Sequence, residues 1–387
     1  MLHITKANCS GCSACANSCP VNCITMTSDT EGFLYPQIYK EKCVDCGVCE
    51  KACQSTNPLI STNEFEAYAC VNNDENVLSQ SSSGGVFTLL AVQILKLRGV
   101  VFGAAFDDSF VVRHICVENV DDLQKLRGSK YVQSDIGTAY RDAEKFLKED
   151  RYVLFTGTPC QIDGLLHYLK KPYERLYTQD VICHGTPSPL VWDKYVSYRE
   201  KKASSKVSRV SFRHKKLGWK DYSVLFDFAN GTCYEQNHTK DIFFQGFLAN
   251  LFLRPSCHNC FFKSINRNSD ITLADFWGVE KTLPEMFDER GVSLVLVNSR
   301  KGRELLELIK EQIRYQPVDS QIALRHNPSV YRSAKPSKNR HEFFSRISGD
   351  SSIDTLIEKY TKVSLLDKLV LKFKIFVLKM LKRLRIR

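Results

Sequence analysis

Two cysteine runs near the start of the chain constrain its fold more than any other feature of the sequence. The first has the spacing Cys-x2-Cys-x2-Cys-x3-Cys-Pro, and the second repeats it 34 residues later with glutamine in place of the proline. This is the spacing of bacterial two-cluster ferredoxins, in which three thiolates hold one [4Fe–4S] cubane and the fourth reaches the other cubane. The predicted ligands are Cys9, Cys12, Cys15 and Cys53 for cluster one, and Cys43, Cys46, Cys49 and Cys19 for cluster two.

A zinc module is the alternative interpretation of these runs, because paired CxxC motifs also bind zinc. Zinc takes four ligands from two such pairs, which leaves the third CxxC step and the x3 cysteine unexplained in both runs. The duplicated spacing therefore favours iron–sulfur clusters. Cys23 belongs to neither run, and we expect it to be a small buried residue.

A second set of cysteines lies far from the runs. Cys160 and Cys183 each lie where a predicted strand ends and a loop begins, at the edge of an α/β sheet where ligands bind. Cys257 and Cys260 form a further CxxC pair. The four residues are compatible with a third cluster, and equally with buried cysteines that bind nothing.

Length and composition indicate a multidomain protein. The chain has 387 residues, 43% of them hydrophobic, which suffices for one or two large cores. We expect a ferredoxin-type domain at 1–57, a polar linker at 54–64, a large domain at 65–330 and a C-terminal helical region at 331–387. The start lacks a signal-peptide pattern, and no run of about 18 apolar residues could span a membrane, so a cytoplasmic location is expected.

Most of the net positive charge lies at the C-terminus. The last 23 residues hold eight Lys or Arg against one Asp, which accounts for seven of the eleven net positive charges. A nucleic-acid-binding surface on the body of the protein is therefore not expected. Apolar residues from 366 to 384 recur at helical spacing, so this tail is predicted to be a basic amphipathic helix. It could pack on the protein body, or contact a membrane surface peripherally through its charge, which is the interpretation we favour.

Helical and β-branched segments alternate through the large domain, which favours an α/β layer architecture. Helices are predicted at 84–98, 137–149, 161–169, 190–201 and 305–313, and strands at 99–106, 152–156, 179–183, 207–213, 223–228 and 293–298. Because some of these strands are not separated by helices, we expect a mixed sheet. The fold class is therefore α+β, with a dicluster ferredoxin-like domain ahead of a mixed α/β domain and a C-terminal helical tail.

Several motifs occur together in the large domain. They lie at 81–88, 126–134, 157–161, 183–185, 257–263 and 270–278. With these motifs in this order, the chain resembles the family of beta subunits of coenzyme F420 hydrogenases and dehydrogenases, with a ferredoxin module in front. The resemblance covers roughly residues 1–300. It departs from the family pattern at Leu273 and Ala274, where a glycine is expected before Asp275.

The resemblance implies FAD, a large domain that binds it, and electron transfer between FAD and [4Fe–4S] clusters. It also implies a third cluster on Cys160, Cys183, Cys257 and Cys260. Ser82, Ser83, Gly84 and Gly85 are predicted flavin contacts, since hydroxyls and backbone N–H groups at a helix start suit a phosphate or flavin edge. A serine-rich helix cap is the alternative for these residues.

Three further residues are predicted at the flavin or its substrate. Lys130 and Arg127 would place positive charge near the flavin or an anionic substrate, unless they form a solvated helix face. Lys130 and His184 are the candidate catalytic residues; His184 could instead be a structural histidine.

The predicted function is an iron–sulfur flavoprotein oxidoreductase that acts on a small conjugated substrate. Its expected partners are that small molecule and a soluble ferredoxin or another redox protein. The alternative is an electron-transfer subunit of a larger hydrogenase or dehydrogenase, without chemistry of its own.

Overall fold

The computed structural model describes residues 2–59, 61–62, 64–349 and 351–362. The N-terminal module contains two short helices and a two-stranded antiparallel sheet. Their bounds are α1 Ala14–Ser18, β1 Ile24–Ser28, β2 Leu34–Ile38 and α2 Val48–Lys51. The small apolar core of this module is made largely of cysteine side chains together with Leu2 and Ile24. So few apolar residues leave the module dependent on other cross-links for its stability.

An eight-stranded mixed sheet forms the centre of the large domain. Its strands are β3 Glu66–Asn72, β4 Val100–Phe106, β5 Val112–Val117, β6 Val153–Thr156, β7 Leu176–Val181, β11 Ile271–Asp275, β12 Ser293–Val297 and β13 Ile313–Val318. They lie in the order β13-β3-β12-β11-β7-β6-β4-β5. The four central strands β11, β7, β6 and β4 run parallel, and the outer pairs are antiparallel. The predicted mixed sheet is confirmed.

Helices cover both faces of this sheet. The helices of the large domain are α3 Glu75–Gln80, α4 Val86–Lys96, α5 Ala139–Lys148, α6 Pro159–Leu169, α9 Val279–Thr282, α10 Arg300–Glu307 and α11 Ser320–Leu324. Helices α4 and α10 bury their apolar sides on one face. Helices α5 and α6 cover the other, together with Ala14 of the N-terminal module. The module is thus packed directly onto the helix layer of the large domain.

A smaller three-stranded antiparallel sheet carries an aromatic core of its own. Its strands are β8 Val207–His214, β9 Ser223–Phe228 and β10 Cys233–Asn237, in the order β10-β9-β8. The helices around it are α7 Pro189–Ala203, α8 Ile242–Leu248, α12 Arg340–Arg346 and α13 Ile353–Thr361. Phe343 and Ile357 of the C-terminal helices are fully buried in this core. The C-terminal region therefore packs on the body as far as residue 362.

The structure corrects one predicted element. The helix expected at 305–313 lies at Arg300–Glu307, and Ile313 begins the edge strand β13. This strand pairs with β3 at the edge of the sheet, and only its first residue, Ile313, is buried, so its sequence carries little hydrophobic pattern of a strand. Across the described ranges, no helix is long and apolar enough to cross a membrane. The basic tail from residue 363 onward lies outside the described residues, so its helix remains a prediction.

Candidate redox site

Two cavities in the N-terminal module gather the cysteines of the two runs. The first is lined by Cys9, Cys12, Cys15 and Cys53, and the second by Cys19, Cys43, Cys46 and Cys49. These are the two crossed sets that the spacing predicts. Within the described part of the chain, no three His, Cys, Asp or Glu side chains surround one point as the ligands of a single metal ion would. Each predicted set of four sulfurs thus lines one cavity, as the ligands of a single cubane would.

Cys23 lines the second cavity together with the four predicted ligands. Its side chain is buried, and its Sγ lies 3.4 Å from Sγ of Cys19. Its backbone N–H donates to the same sulfur at 3.3 Å. Cys23 is buried as expected, and its contacts with Cys19 stabilise a predicted ligand.

Cys160 and Cys183 are positioned by the ends of two parallel strands. Cys160 follows β6 in the first turn of α6, which starts with a capping box between Thr158 and Gln161 and with Pro159. Cys183 follows the end of β7. Parallel strands end at the same edge of a sheet, and the two cysteines meet there.

Cys257 and Cys260 complete this group from a short 3-10 turn, Pro255–Asn259. The Cys160 thiol lies close enough to the thiols of Cys183, Cys257 and Cys260 to interact with each electrostatically. Lys263 supplies positive charge at the group, since its Nζ donates to the carbonyl oxygen of Cys183. The structure therefore brings all four predicted third-site cysteines together.

Burial dominates the chemistry of these cysteines. It raises the pKa of Cys160 well above its usual value and that of Cys183 to about 12. In the first module cavity, burial also raises the pKa of Cys12 to about 12. Such thiols would be neutral at pH 7, whereas iron deprotonates a coordinating thiol outright. A half-buried set of four cysteines with few polar partners therefore suits a metal cluster that supplies the missing positive charge.

Gly164 lies at the contact between the helix that carries Cys160 and the predicted ligand Cys12 of cluster one. It lies one turn after Cys160 on α6, and a Cβ built on it would lie 2.9 Å from Cβ and 3.0 Å from Sγ of Cys12. The same position would be 2.8 Å from Oη of Tyr140, which donates to the carbonyl oxygen of Gln161 at 2.7 Å. A glycine at this position lets the module approach the helix that carries Cys160.

A cavity of about 370 Å³ adjoins the third site. Cys183 and Thr158 lie in its wall, so the cavity and the four cysteines share a boundary. Of the predicted flavin and substrate contacts, Ser82, Ser83, Gly85, Arg127, Lys130 and His184 line this cavity. Its lining combines polar and charged side chains with apolar ones such as Leu273 and Trp277. This mixture suits a ligand with a flat ring and phosphate groups.

Gly84 differs from its neighbours because it lies beneath the cavity. Its Cβ would approach Cys70 O at 2.3 Å and Ser293 N at 2.6 Å, on strands β3 and β12. The glycine is required by this close packing on the sheet, not by a ligand. Gly85 has φ +77° and starts α4, whose first-turn backbone lies along the cavity wall. Both parts of the glycine pair thus have a backbone reason to be glycine.

The basic residues in the wall are held by local contacts. The Nζ of Lys130 donates to the carbonyl oxygens of Lys125 and Arg127, each at 2.9 Å. Burial lowers the pKa of Lys130 to about 7. Arg127 donates to Thr88 and Gln80, which ties the loop to the start of α4. The two cations are therefore fixed in the wall of the cavity and not on a solvated helix face.

His184 lies at the boundary between the cavity and the third site. Its Nε2 is 2.7 Å from Oδ1 of Asn250, and its ring meets Phe247 edge-on at 5.3 Å. Burial lowers its pKa, which favours the neutral imidazole. Because its nitrogen already contacts Asn250, the structural role of this histidine is at least as well supported as a catalytic one.

Sequence reasoning missed a buried ion pair under the cavity floor. Arg213 of β8 donates to both carboxylate oxygens of Asp275, at 3.0 and 3.1 Å, and to the carbonyl oxygen of Ser82. Trp219 donates to the same carboxylate at 2.7 Å. Asp275 thus has a partner that explains its place in the motif. The alternation of β8 pointed to a strand, but nothing in the sequence paired Arg213 with a residue 62 positions away.

A second missed group is a polar network in the wall of the cavity. His114 contacts the carbonyl oxygen of Thr156 through Nε2 at 2.9 Å and Ser134 through Nδ1 at 3.0 Å. Gln161 donates to Ser134 at 2.8 Å. Burial lowers the pKa of His114 to about 4, so it is neutral at pH 7. The network rigidly connects the cavity wall to the first turn of α6.

Comparison with known proteins agrees with the motifs. Residues 150–321 match the family model for the C terminus of the beta subunit of coenzyme F420 hydrogenase/dehydrogenase, and residues 8–57 match the 4Fe-4S dicluster domain. The resemblance inferred from the sequence is confirmed. The dicluster match supports the iron–sulfur clusters predicted for the N-terminal module.

Two curated relatives are similar over part of their length. The coenzyme F420-dependent sulfite reductase of Methanocaldococcus jannaschii is 26% identical over 195 residues, 49% of this chain and 29% of the relative. One subunit of the F(420)H(2) dehydrogenase of Methanosarcina mazei is 25% identical over 169 residues, 40% of this chain and 46% of the relative. The chain thus spans less than half the length of each.

One solved structure is also similar. It is a chain of the F420-reducing [NiFe] hydrogenase complex from Methanosarcina barkeri, with 16% identity and a TM-score of 0.47. The match covers 75% of this chain and 94% of that chain.

Proposed function

Because the chain carries the C-terminal domain of coenzyme F420 hydrogenase/dehydrogenase beta subunits behind a 4Fe–4S dicluster domain, we propose that it is an iron–sulfur flavoprotein oxidoreductase. In this proposal FAD binds in the 370 Å³ cavity, three [4Fe–4S] clusters bind to the three cysteine sets, and a small conjugated substrate reacts at the flavin. FAD would supply the exchange between two-electron and one-electron chemistry that clusters alone cannot perform.

The observation that carries this proposal is the continuity of the three kinds of site. Cys183 borders both the cavity and the third cysteine set. Helix α6 then connects that set to cluster one, because Cys160 and Gly164 lie one turn apart and Gly164 faces Cys12. The crossed cysteines of the module hold cluster one close to cluster two. Electron transfer from the cavity to the N-terminal module would therefore require no conformational change.

The residues of the cavity wall have distinct roles in this proposal. Backbone N–H groups at the start of α4 and the hydroxyl groups of Ser82 and Ser83 would bind phosphate oxygens. Arg127 and Lys130 would hold the anionic part of the cofactor or substrate. Trp277 and Leu273 would exclude water on the apolar side. These contacts would fix the ring of the flavin near Cys183.

FAD titration of the anaerobically reconstituted full-length protein tests the flavin. We expect binding of one FAD per chain, and at least about tenfold weaker binding in Arg127→Met, because a charge-assisted contact contributes about 1.5–3 kcal/mol. Arg151→Met is the matched control, since Arg151 precedes β6 and lies at the opposite end of that strand from the cavity. A folded, iron-loaded protein that binds no FAD would exclude the flavin.

The alternative is an electron-transfer subunit, and one surface feature concerns how a redox protein would dock in either case. Cys46 is exposed, and the neighbouring Val44 is 63% exposed. An apolar patch over a cluster ligand suits the docking of another redox protein. Such docking is compatible with both functions, so turnover separates them. The isolated, FAD-loaded chain should reduce or oxidise a conjugated acceptor with a soluble ferredoxin as its redox partner if it is a complete enzyme, and should show no turnover if it is a subunit.

A further inference from the structure

Arg254 is a buried cation at the junction of the module and the large domain. Its side chain is 0% exposed. It lies three residues before Cys257, whose N–H donates to the carbonyl oxygen of Arg254 at 3.0 Å. The sequence offers no reason to single it out, because it precedes the CxxC motif in an otherwise ordinary stretch.

The donors of its guanidinium group are directed mainly at the module. Nε donates to the carbonyl oxygen of Cys9 at 2.7 Å, and Nη2 to that of Leu34 at 2.9 Å. Nη2 also lies 3.6 Å from Sγ of Cys9. Nη1 donates to Oε1 of Gln133 at 2.8 Å. The centre of the group stands 4.2 Å from the ring centre of Tyr35.

None of these contact partners is a carboxylate or another group with a full negative charge. Among the residues the structure describes, Arg254 forms no ion pair with a carboxylate, although other buried arginines such as Arg213 and Arg267 do. A guanidinium without a counter-charge is strongly destabilising in a protein interior, at a cost of several kcal/mol. Arginine cannot relieve this cost by losing its proton. The fold therefore needs an anion next to Arg254.

Cluster one would be that anion. A cubane with four thiolate ligands is negatively charged, and it gains one further negative charge on reduction. Cys9 is one of its four predicted ligands and lies against Nη2. A hydrogen bond to a ligand sulfur and a nearby positive charge both favour the reduced form. Among the described residues, neither cluster cavity is lined by a basic side chain, and the difference between the two clusters is Arg254, whose Nη2 lies 3.6 Å from the sulfur of a cluster-one ligand.

We infer that Arg254 is the buried counter-charge of cluster one and raises its reduction potential above that of cluster two. Arg254 is thus a positioning residue, because it acts through the ligand sulfur and the fold around it. When an electron passes from a neighbouring cluster to cluster one, no bond forms or breaks and no proton moves. The charge of Arg254 would favour an electron on the cluster held by Cys9 and Cys12, next to Gly164. This inference rests on the iron–sulfur part of the proposed function and not on the flavin.

Potentiometric titration of the reconstituted full-length protein, followed by EPR, tests this role. In Arg254→Met we expect a lower potential for cluster one and an unchanged one for cluster two. The equilibrium constant for electron exchange between them should change at least about tenfold, which is about 59 mV for a one-electron couple. Arg254→Lys keeps the charge and should shift the potential less. If Arg254→Met loses cluster one while Arg254→Lys retains it, the requirement for the charge is also supported.

Two controls separate charge from packing. Arg141 donates to the carbonyl oxygens of Ala16 and Asn17 on α1. Arg141→Met therefore removes a cation that binds the backbone of the same module. Gln133→Ala removes a partner of Arg254 and leaves the charge in place. Neither should shift the potential of cluster one as Arg254→Met does.

The inference is overturned by an unchanged potential in iron-replete Arg254→Met, by equal shifts in Arg141→Met or Gln133→Ala, or by loss of cluster one in both Arg254 variants. Absence of module clusters from the wild-type protein would instead refute the proposed function itself.

Discussion

The N-terminal module and the cavity of the large domain differ in how their functional residues are brought together. In the module, eight cysteines within 45 residues lie in two runs of fixed spacing, so short-range geometry sets which sulfurs can share a cluster. The cavity is built from segments between Ser81 and Asn327. Its residues meet only because a mixed sheet brings the ends of its strands together. A repeated local motif therefore predicts individual ligands, whereas a site made by topology can be predicted only as an approximate location.

The third cysteine set combines a local CxxC pair with two cysteines that the sheet brings together. Removing one of its ligands should have the largest effect, which is on the iron content of the protein. With three cubanes the chain should hold about twelve iron atoms, and Cys160→Ala should lower this to about eight without affecting the module. Iron analysis after anaerobic reconstitution measures it. Cys233→Ala is the matched control, because Cys233 is exposed on β10. Equal iron in wild type and Cys160→Ala would show that the four sulfurs hold no cluster.

The difference between a local motif and a site formed by the sheet also decides how much of each site could be predicted from the sequence. The crossed sets of the module followed from spacing, and the strand ends placed Cys160 and Cys183 at one sheet edge. The glycine pair shows where local reasoning stopped, because Gly85 lies in the cavity wall and Gly84 packs on β3 and β12. Arg213 and Arg254 could not be predicted, since each acts on a group more than 60 positions away in the chain. Charge pairing across a fold leaves no periodic pattern in a single sequence.

The contact between the two regions can be broken at Gly164. A valine there would need to occupy space within 3.0 Å of the Cβ and Sγ of Cys12, so it should push the module from α6. We expect Gly164→Val to slow electron transfer between the third site and the module by more than tenfold, or to cost cluster one. Gly164→Ala should give a smaller effect of the same kind. Freeze-quench EPR after rapid reduction measures the rate.

The Gly164→Val experiment also tests whether the third site exchanges electrons with the module through this contact. Tyr140→Phe is the companion variant, because it removes the hydroxyl that contacts Gln161 at the same junction but adds no atom. It should change the rate less than valine at Gly164. Wild-type rates in Gly164→Val would mean that electrons do not cross between the two regions at this contact.

Lys130 should give the smallest effect, a pH dependence confined to the cavity. Burial lowers its pKa to about 7, so the amine is mostly charged at pH 6 and mostly neutral at pH 8. An anionic ligand beside it stabilises the charged form, so binding takes up a proton and affinity must fall as pH rises through 7. Two histidines also line this wall: burial lowers the pKa of His114 to about 4 and lowers that of His184, which favours the neutral imidazole of both. We expect FAD affinity to fall a few-fold from pH 6 to pH 8, as measured by fluorescence quenching.

In Lys130→Met the affinity should equal the weaker value at both pH values. Lys125→Met, which alters an exposed neighbour paired with Asp122, should keep the pH dependence; a dependence that persists in Lys130→Met would assign it to another group.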